Sequence, residues 1–506
     1  MPARLDGICS RQRGDGPVPV PDDLSYDLTQ VMLGTKRQTS PITAGLSLLI
    51  ILVLNGCSEA WTPADRASQA ELATFSLQET RLVISQVDYE GAIYTVPDDP
   101  YPHLDVARVR TDRIIRKQHR AVVMENAHVK LTLLPEMGRV YSLIFKPAGH
   151  EVFWHNDIVT VGGGQHNPLG WWIWIGGAEY TLPGDEHGTT WAEIWAYRIV
   201  EDSEYRKAVM MSVTERGTGL EEHIEISLYP DRSFYEARIQ IVNPTSETVE
   251  FAHWINPQWT PGGRNELTDN TEFIIPTELI LIPDRFRDSL GESPQEWYAS
   301  RLRFIKGWDR GSGDLMADGI THGFYGAYSH DEEEGVVRVF DKEKTPGVDI
   351  WTYGYRPTQP RGIPMGSGAD NKGYAEMWGG TSRLYPDERR PIRPGETIAW
   401  TEWMYPFRGT GGLSYANAEV AVCIQLDAGN RLVRLGIDAT RPLNGVQAIL
   451  TSGADTLLAG TIDLVPGSPC RRTAVDLGTA PLLRIRLMWQ ARTVADVTLT
   501  RQEIER

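Results

Sequence analysis

The sequence predicts an almost all-β protein, and three observations support this fold class. Segments in which apolar and polar residues alternate recur along the chain, for example at 209–215 and 233–242. Period-two alternation is typical of strands with one buried face. Turn-forming pairs such as Asn243-Pro244 separate these segments, and none shows the periodicity of a long amphipathic helix. A large antiparallel sandwich therefore fits better than a parallel α/β sheet.

The predicted elements follow in chain order. Residues 58–90 are polar and predict a tether with one short helix. From about 105 the chain predicts strands, beginning with one alternating run at 122–134 that ends in a turn at Pro135 and Gly138. The later strands are predicted at 140–145, 151–154, 209–215, 223–228, 233–242, 248–253, 335–340 and 397–405.

Five regions are expected from these patterns. After the last of those strands a glycine-rich segment precedes a second set of short strands, at 419–425, 431–436, 445–450, 456–464 and 482–489. The regions are an N-terminal extension with a lipoprotein signal peptide (1–56), a tether and lead-in (57–104), a large β-sandwich (105–408), a flexible linker (409–412) and an accessory β-sandwich (413–506).

The net charge and the tryptophan content limit the classes of partner. The chain has 506 residues and a formal net charge of −17, which argues against a nucleic-acid groove because such a groove needs a basic stripe. It has 16 tryptophans, and six of them lie between residues 154 and 195. An indole offers a flat apolar face and one N–H donor, which suits stacking on a sugar ring. The alternative is that most of them belong to a sandwich core.

The N-terminal region predicts export. An apolar run at 44–54 follows Lys36 and Arg37 and ends at Leu54-Asn55-Gly56-Cys57, which resembles a bacterial lipoprotein signal. Cys57 would then carry the lipid and tether the protein to a bacterial membrane, in the periplasm or at the cell surface. An ordinary cleaved signal without lipid is the alternative, and Met32 is a plausible start of the signal.

Cofactor and metal sites are not predicted. No cysteine–histidine spacing typical of a metal site and no phosphate-binding glycine motif is present. The acidic run 331–334 is expected to be a solvated hairpin rather than a calcium site, because calcium ligands need spacing and a turn. Cys423 and Cys470 could form a disulfide in an oxidising compartment.

Two glutamates stand out among aromatic neighbours. Glu376 lies in the middle of the glycine-rich, aromatic stretch 373–380, where an ionised acid must be paired or functional. Glu179 follows the aromatic segment 171–177 and suits either sugar binding or proton transfer, with a structural hydrogen-bond acceptor as the alternative. If both faced one cleft, a two-carboxylate glycosidase would become possible.

The stretch 373–380 and the following Arg393-Pro394-Gly395-Glu396 turn resemble the last strands of galactose-mutarotase-type sugar enzymes. With the phrases at 133–143, 176–180 and 349–354, the region 105–408 resembles the mutarotase-like family called domain of unknown function 5107. The resemblance implies an antiparallel β-supersandwich with a carbohydrate cleft on one face. It does not imply one reaction, because this fold carries epimerases, hydrolases, lyases and sugar-binding proteins.

The resemblance also implies roles for single residues. Glu376 would be the general base at the anomeric hydroxyl. His253, in the phrase 251–257, would be the general acid at the ring oxygen, with a hydrogen-bonded core histidine as the alternative. Arg139 resembles a sugar-binding arginine, with a surface salt bridge as the alternative. Glu179 is the third catalytic candidate, and the remaining substrate-binding candidates are Trp172, Trp174, His187, Trp254, Asn256 and Trp378.

Three functions are compatible with these residues. The first, which the sequence favours, is an exported glycan-processing enzyme, a hydrolase or a lyase that acts on an oligo- or polysaccharide by Glu/His acid–base catalysis. The second is an aldose 1-epimerase, and the third is a sugar-binding lipoprotein without catalysis. The loop with Asp185, Glu186 and His187 is expected to be solvated, although His187 could reach a ligand.

Overall fold

The structure is a computed structural model that describes residues 75–163, 167–184, 186–308, 313–352, 373–385, 388–427, 429, 431–475 and 481–504. All of them belong to one compact unit, 59–506. The predicted signal peptide and Cys57 lie outside the described residues. Within these residues, no helix is long and apolar enough to cross a bilayer.

The first ten strands run through the segment that includes the predicted lead-in. They are β1 Ser76–Asp88, β2 Ile93–Thr95, β3 Pro102–Leu104, β4 Arg110–Glu125, β5 Val129–Leu134, β6 Arg139–Phe145, β7 His150–Glu151, β8 His155–Gly163, β9 Trp171–Gly176 and β10 Ala178–Thr181.

The central part of the chain contributes sixteen more strands and one short helix. They are β11 Ala196–Asp202, β12 Lys207–Thr214, β13 Glu221–Leu228, β14 Tyr235–Val242, β15 Val249–Phe251, β16 Trp254–Trp259, β17 Thr271–Ile274, β18 Leu279–Leu281, α1 Arg287–Leu290, β19 Gln295–Glu296, β20 Gly313–Ala317, β21 Phe324–Ser329, β22 Glu334–Phe340, β23 Gly347–Thr352, β24 Ala375–Gly380, β25 Arg390–Ile392 and β26 Thr397–Arg408.

The C-terminal part adds eight strands and a last helical turn. They are β27 Tyr415–Ala416, β28 Val420–Asp427, β29 Leu432–Ala439, β30 Leu443–Ser452, β31 Asp455–Leu464, β32 Cys470–Val475, β33 Leu482–Trp489, β34 Arg492–Thr500 and α2 Arg501–Ile504. Single 3₁₀ turns connect several strands, at Glu90–Ala92, Val106–Arg108, Pro135–Met137, Thr190–Ala192, Asp284–Phe286, Arg301–Arg303 and Ile305–Gly307.

Two large sheets build the main sandwich. A fourteen-stranded sheet has the order β19-β18-β20-β23-β24-β16-β10-β6-β5-β4-β1-β8-β9, with β7 beside β6. An eight-stranded sheet has the order β11-β12-β13-β14-β26-β22-β21-β17. Every pairing in both sheets is antiparallel except a short parallel contact between β1 and β8. The predicted fold class, all-β with antiparallel sheets, is confirmed.

The core lies between these two sheets. One continuous apolar cluster contains residues of the larger sheet such as Trp259 and Met377, and residues of the smaller sheet such as Ile239 and Trp400. Because side chains alternate along a strand, each strand of the larger sheet that buries one face in this core presents its other residues to the opposite face. That outer face carries the residues discussed below.

The first strands differ from the expectation. Residues 76–88, predicted as part of a tether, form β1 and pair along their length with β4. The run 122–134, predicted as one strand, is a hairpin of β4 and β5 that turns at Asn126. Its side-chain Oδ1 accepts hydrogen bonds from the backbone N–H groups of His128 and Val129, both at 2.8 Å. An asparagine that bonds the backbone two residues on favours a turn over a continued strand.

The C-terminal strands form two four-stranded sheets around their own apolar cluster. The segment 409–412, expected to be a flexible linker, is tied to the main sandwich: Gly409 N–H donates to the Glu333 carbonyl at 2.7 Å, and Gly411 N–H donates to the Tyr328 hydroxyl at 3.1 Å. A shared apolar cluster, which includes Phe407 and Leu413, packs the two parts together.

The structure shows no disulfide between Cys423 and Cys470. Cys423 lies on β28 and Cys470 on β32, and β29 runs between those strands. Strands two places apart are separated by about 10 Å, beyond the range that a disulfide spans.

The acidic run 331–334 covers the turn between β21 and β22 and the first residue of β22, and each acid has its own partner. Asp331 accepts from Asn270, Glu332 from Arg264, Glu333 from Arg471, and Glu334 lies 2.8 Å from Nδ1 of His150. The hairpin was predicted, but these carboxylates are paired rather than simply solvated. Among the described residues, no group of three or more acidic, histidine or cysteine side chains is arranged to hold a metal ion.

Asn126 is expected to be the most sensitive polar position of the first hairpin. It is fully buried, and its Nδ2 also donates to the carbonyls of Tyr229 and Arg232 at 2.6 and 2.7 Å. Asn126→Ala should lower the free energy of unfolding by about 3 kcal/mol, because four backbone groups, one buried and three partly buried, lose their partner. Urea unfolding measures this. Asn444→Ala, at an exposed position, is the matched control, and an equal loss in both variants would contradict the assignment.

Candidate active site

The outer face of the larger sheet gathers polar and aromatic side chains from five neighbouring strands. On β24 Met377 enters the core, so Glu376 and Trp378 point to the outer face. The register places Gln258 of β16 opposite Glu376, and Asn256 opposite Glu179 of β10. Residues separated by more than a hundred positions in sequence thus lie side by side on one face.

Glu376 is the centre of this face. It is 4% exposed, and its two oxygens accept hydrogen bonds from the Tyr374 hydroxyl and the Trp378 indole N–H, both at 3.1 Å. The Gln258 amide lies 3.4 Å away. Burial, together with the nearby charge of Glu179, raises the pKa of Glu376 to about 6, although His187 and the two donors oppose the shift. Glu376 is therefore ionised at neutral pH and takes up a proton as the pH falls to about 6.

His187 comes from the loop after β10, and its side chain is buried rather than solvated as predicted. Its backbone has a φ of 60°, and its N–H donates to the Tyr385 hydroxyl at 2.8 Å. His187 is 6% exposed, and its imidazole lies between the indoles of Trp172 and Trp378, with ring centroids 4.6 and 5.1 Å away. The tyrosine and the two indoles hold the ring beside Glu376, whose charge acts on it. Glu376, Glu179 and His187, with the aromatic side chains around them, are called the candidate cleft, or the cleft, below.

The protonation of His187 is set by Glu179. The imidazole Nδ1 lies 3.0 Å from Oε1 of Glu179. Burial alone would lower the pKa of His187, but the charge and the hydrogen bond of Glu179, with a contribution from Glu376, raise it to about 9. The ring is therefore an imidazolium at neutral pH.

Glu179 is held on both oxygens. Arg139, on the neighbouring strand β6, binds Oε2, and the same guanidinium donates to the Gly176 carbonyl at 2.7 Å. Burial favours the neutral carboxyl, but Arg139 and His187 lower its pKa. Glu179 therefore stays ionised and anchors His187. Arg139 is itself buried. Its hydrogen bonds show a buried ion pair, and neither a surface salt bridge nor a direct contact with a sugar.

Gly176 and Gly177 make this arrangement possible. Both have positive φ, 103° and 80°, at the link between β9 and β10. A Cβ at Gly177 would meet the Val140 carbonyl oxygen at 2.4 Å. The two glycines let β10 approach β6 closely enough for Glu179 to meet Arg139.

Tryptophan and tyrosine rings line the cleft. Trp154 stacks on Tyr374 at 4.1 Å, and Trp172 meets Trp174 edge-on at 4.9 Å. Trp378 stacks on Tyr385 at 4.6 Å. Of the four tryptophans predicted to bind substrate, Trp172 is the one left partly exposed, and Trp174, Trp254 and Trp378 are buried in this aromatic packing.

Asn256 lies between the two glutamates. It is fully buried, and neither atom of its side-chain amide has a partner among the described residues. The Trp172 indole N–H and Oε1 of Gln258 are also buried without a partner there. Buried amides are nearly always hydrogen-bonded, so these groups are suited to a polar ligand.

His253 does not join this cluster. It is 2% exposed, its Nε2 lies 2.8 Å from Oε1 of the buried Glu222 on β13, and its ring meets Trp400 edge-on in the inter-sheet core. The structure therefore does not place His253 next to Glu376, and the predicted acid–base pair of these two residues is not formed. The alternative, a hydrogen-bonded core histidine, describes its position. Trp254, one residue on, is fully buried against Tyr385, and its indole N–H donates to Ser382.

Sequence reasoning missed Tyr374, Gln258 and Tyr385. A signal existed for the first two: Tyr374 precedes Glu376 by two residues, and Gln258 follows Asn256 by two, so strand alternation places each on the same face as its neighbour. No local pattern marks Tyr385, because its role depends on a contact with a loop 198 positions away.

The family model called Domain of unknown function (DUF5107) matches residues 97–404, more than half of the chain. The chain belongs to this family. The resemblance found in the sequence is thereby confirmed, and every residue of the cleft lies inside the matched region. In this DUF5107 protein the C-terminal sandwich, 415–500, follows the family region.

Several solved structures are similar. A TPR-domain containing protein from Parabacteroides distasonis has a TM-score of 0.53 and 21% identity over 66% of this chain; the chain spans 56% of that protein. A galactose mutarotase-like protein from Clostridium acetobutylicum has 0.39 and 13%, with 57% of this chain and 96% of that one covered. A galactose mutarotase related enzyme from Lactobacillus acidophilus has 0.40 and 15%, covering 56% and 97%. The first of these likenesses concerns the fold alone.

Replacing Glu376 should reveal its raised pKa in the stability of the protein. A carboxyl whose folded-state pKa, about 6, exceeds its ordinary value of 4.5 holds its proton longer in the folded state. Folding stability therefore falls as the pH rises from 4.5 to 6. Glu376→Gln lacks this loss of stability. The difference in free energy of unfolding, variant minus unsubstituted protein, should therefore increase by about 2 kcal/mol from pH 4 to pH 7.

Urea unfolding at both pH values measures the difference. Comparing two pH values removes the contribution of any hydrogen bond that the amide loses, because that contribution is the same at both. Glu396→Gln, on the surface turn before β26, is the matched control. A pH-independent effect of Glu376→Gln would contradict the raised pKa.

Proposed function

We propose that this protein is a carbohydrate-active enzyme that interconverts the anomers of an aldose, with Glu376 as general base and His187 as general acid. One observation carries the proposal: a carboxylate with a pKa of about 6 and an imidazolium with a pKa of about 9 lie at the same buried cleft. Between these values the base is deprotonated and the acid is protonated, as proton transfer in two directions requires.

The proposed reaction needs only these two groups. The Glu376 carboxylate removes the proton of the anomeric hydroxyl while His187 gives its proton to the ring oxygen, and the bond from the anomeric carbon to the ring oxygen breaks. The open-chain aldehyde rotates about the bond between its first two carbons. Ring closure runs in reverse, with the proton returning from the hydroxyl to His187 and from Glu376 to the new anomeric oxygen.

The aromatic walls and the unpartnered amides support a sugar as the ligand. Trp172 offers a partly exposed indole beside His187, and Asn256 offers a donor and an acceptor between the two glutamates. Apolar ring faces bordered by hydroxyl groups match a cleft of this kind.

The glycan-processing enzyme favoured from the sequence has less support, above all in the form of a two-carboxylate glycosidase. Glu179 is bound on one oxygen by Arg139 and on the other by His187, and its lowered pKa keeps it from acting as an acid. An epimerase needs no second carboxyl group, and the His187–Glu376 pair suffices.

The proposal predicts matched losses in the two variants. Glu376→Gln and His187→Gln should each lower kcat for the α-to-β conversion of an aldose by about 10²- to 10⁴-fold. In the unsubstituted protein the activity should be bell-shaped, with limbs near pH 6 and pH 9, and His187→Gln should lose the upper limb. NMR of freshly dissolved aldoses measures the conversion.

His253→Gln is the control for this experiment. It replaces an equally buried histidine that is hydrogen-bonded to a glutamate in the core, so it should reduce stability and leave the pH profile in place. New reducing ends from oligosaccharides, without anomer exchange in any aldose, would replace the epimerase with a glycosidase. Binding without turnover would leave a sugar-binding protein.

We also propose that the protein is exported and anchored by a lipid on Cys57, on the support of the sequence 36–57 alone. The full chain expressed in a bacterium should then partition into the detergent phase of a Triton X-114 extraction, and Cys57→Ser should move it to the aqueous phase. Equal partition of both proteins would count against lipidation and would leave an ordinary cleaved signal as the explanation.

A further inference from the structure

The loop that carries His187 is bound by a buried asparagine from another part of the chain. Asn167 lies between β8 and β9 and is 5% exposed. Its side-chain Nδ2 donates to the carbonyls of Glu186 and Gly188, at 2.8 and 3.4 Å. These carbonyls belong to the residues on either side of His187. A side-chain amide has two N–H donors, so Asn167 uses both of them on this loop.

The peptide plane before His187 is held at both ends. Its carbonyl, that of Glu186, accepts the hydrogen bond from Asn167. Its N–H, that of His187, donates to the Tyr385 hydroxyl at 2.8 Å. Because a peptide unit is planar, a partner at each end limits its rotation. The two bonds therefore help to keep the backbone of His187 at its φ of 60°.

The peptide plane after Gly188 is held in the same way. The Gly188 carbonyl accepts from Asn167, and the Thr189 N–H donates to the Leu182 carbonyl at 2.8 Å. Gly188 is also left-handed, with a φ of 57°, and a Cβ there would meet the Leu182 carbonyl oxygen at 2.5 Å. The loop therefore closes on Leu182, and Asn167 is bonded to both planes.

The backbone conformation that these bonds hold is unfavourable for a histidine. A residue with a side chain seldom occupies the left-handed region, and it stays there only when its surroundings hold it. From this backbone the imidazole reaches Glu179, with Nδ1 3.0 Å from Oε1. A change of the His187 backbone to an ordinary conformation would redirect its Cα–Cβ bond and move the ring away from Glu179.

From this geometry we propose that Asn167 is a positioning residue for His187: it holds the left-handed backbone that directs the imidazole to Glu179 and to the candidate cleft. Its importance for catalysis rests on the proposed function, but its effect on the place of the ring does not. Asn167 thus acts on the general acid without touching the substrate.

Asn167→Ala tests the inference through the titration of His187 itself. NMR of isotope-labelled histidine follows each imidazole, and His187→Gln identifies the signal of His187. Without the two bonds the ring should leave Glu179, so the pKa of His187 should fall by about one pH unit or more. In the proposed reaction kcat at neutral pH should fall about tenfold with a smaller change in KM, and the upper limb of the pH profile should move to lower pH.

Asn243→Ala is the matched control. Asn243 is fully buried, its Nδ2 donates to the carbonyls of Glu247 and Ile392 at 2.8 and 2.9 Å, and its Oδ1 accepts from a backbone N–H two residues on. Urea unfolding should show a similar loss of stability in both variants. The titration of His187 should change in Asn167→Ala and stay unchanged in the control, because a loss of stability alone does not displace the ring.

Asn167→Ser separates the bonds to the loop from the turn that Asn167 also forms, and it replaces the alanine variant if that variant does not fold. Oδ1 of Asn167 accepts from the Leu169 N–H at 2.8 Å, and a serine hydroxyl can take over this bond but is too short to bridge the two carbonyls. The pKa of His187 should therefore fall in Asn167→Ser as well.

An unchanged titration of His187 in a folded Asn167 variant would overturn the inference. A lowered pKa in these variants, together with no anomer exchange by the unsubstituted protein, would keep the positioning role of Asn167 and remove the epimerase.

Discussion

The cleft depends on one buried ion chain, Arg139–Glu179–His187. Taking charges out of water costs several kcal/mol for each ion, and the attraction between them offsets this only when the geometry is good and the remaining polar atoms are bonded. Arg139 and Glu179 lie on adjacent strands, and the Gly176 carbonyl accepts a hydrogen bond from a second N–H of the guanidinium. The buried Nε of Arg139 has no partner among the described residues, so the condition is met in part. Arg139 keeps Glu179 ionised, and the ionised Glu179 keeps the imidazole protonated. The charge of the group that faces the ligand is thus fixed by a residue that does not reach it.

The other residues of the cleft are brought together by the order of the strands in the sheet, which differs from their order along the chain. The neighbours β23-β24-β16-β10-β6 come from five separate parts of the chain, and their pairing places Glu376, Gln258, Asn256 and Glu179 on one surface. The opposite faces of the same strands carry Met377, Ile255 and Tyr180 into the core. The packing that stabilises the sandwich therefore also fixes the spacing of the polar groups, because a strand cannot shift by one residue without exchanging its two faces.

The sequence was sufficient for the fold class, the family and the position of Glu376, because alternation and an acid among aromatic residues are local signals. It was not sufficient for the choice of histidine. In Phe251-Ala252-His253-Trp254 both alternating sets are apolar or aromatic, so the pattern does not say which face His253 occupies. Its contacts with Glu222 and Trp400 place it in the core. His187 stands in a polar loop whose local sequence predicts solvent exposure. Its burial arises from Tyr385 and Trp378, whose approach no local pattern encodes.

The same surroundings move the working range of the pair as a whole. A glutamate and a histidine with their ordinary pKa values of 4.5 and 6.5 would have a working window centred near pH 5.5, in which the glutamate is deprotonated and the histidine is protonated. In the cleft the two values are about 6 and about 9, so the window widens and its centre moves to about pH 7.5. Burial raises the pKa of Glu376, which makes it a stronger base, and Glu179 raises that of His187 despite burial. The two shifts have the same direction but different causes, since the positive charge of His187 opposes the shift of Glu376. A ligand that brought a further negative charge to these two groups would raise both pKa values and make His187 a weaker acid.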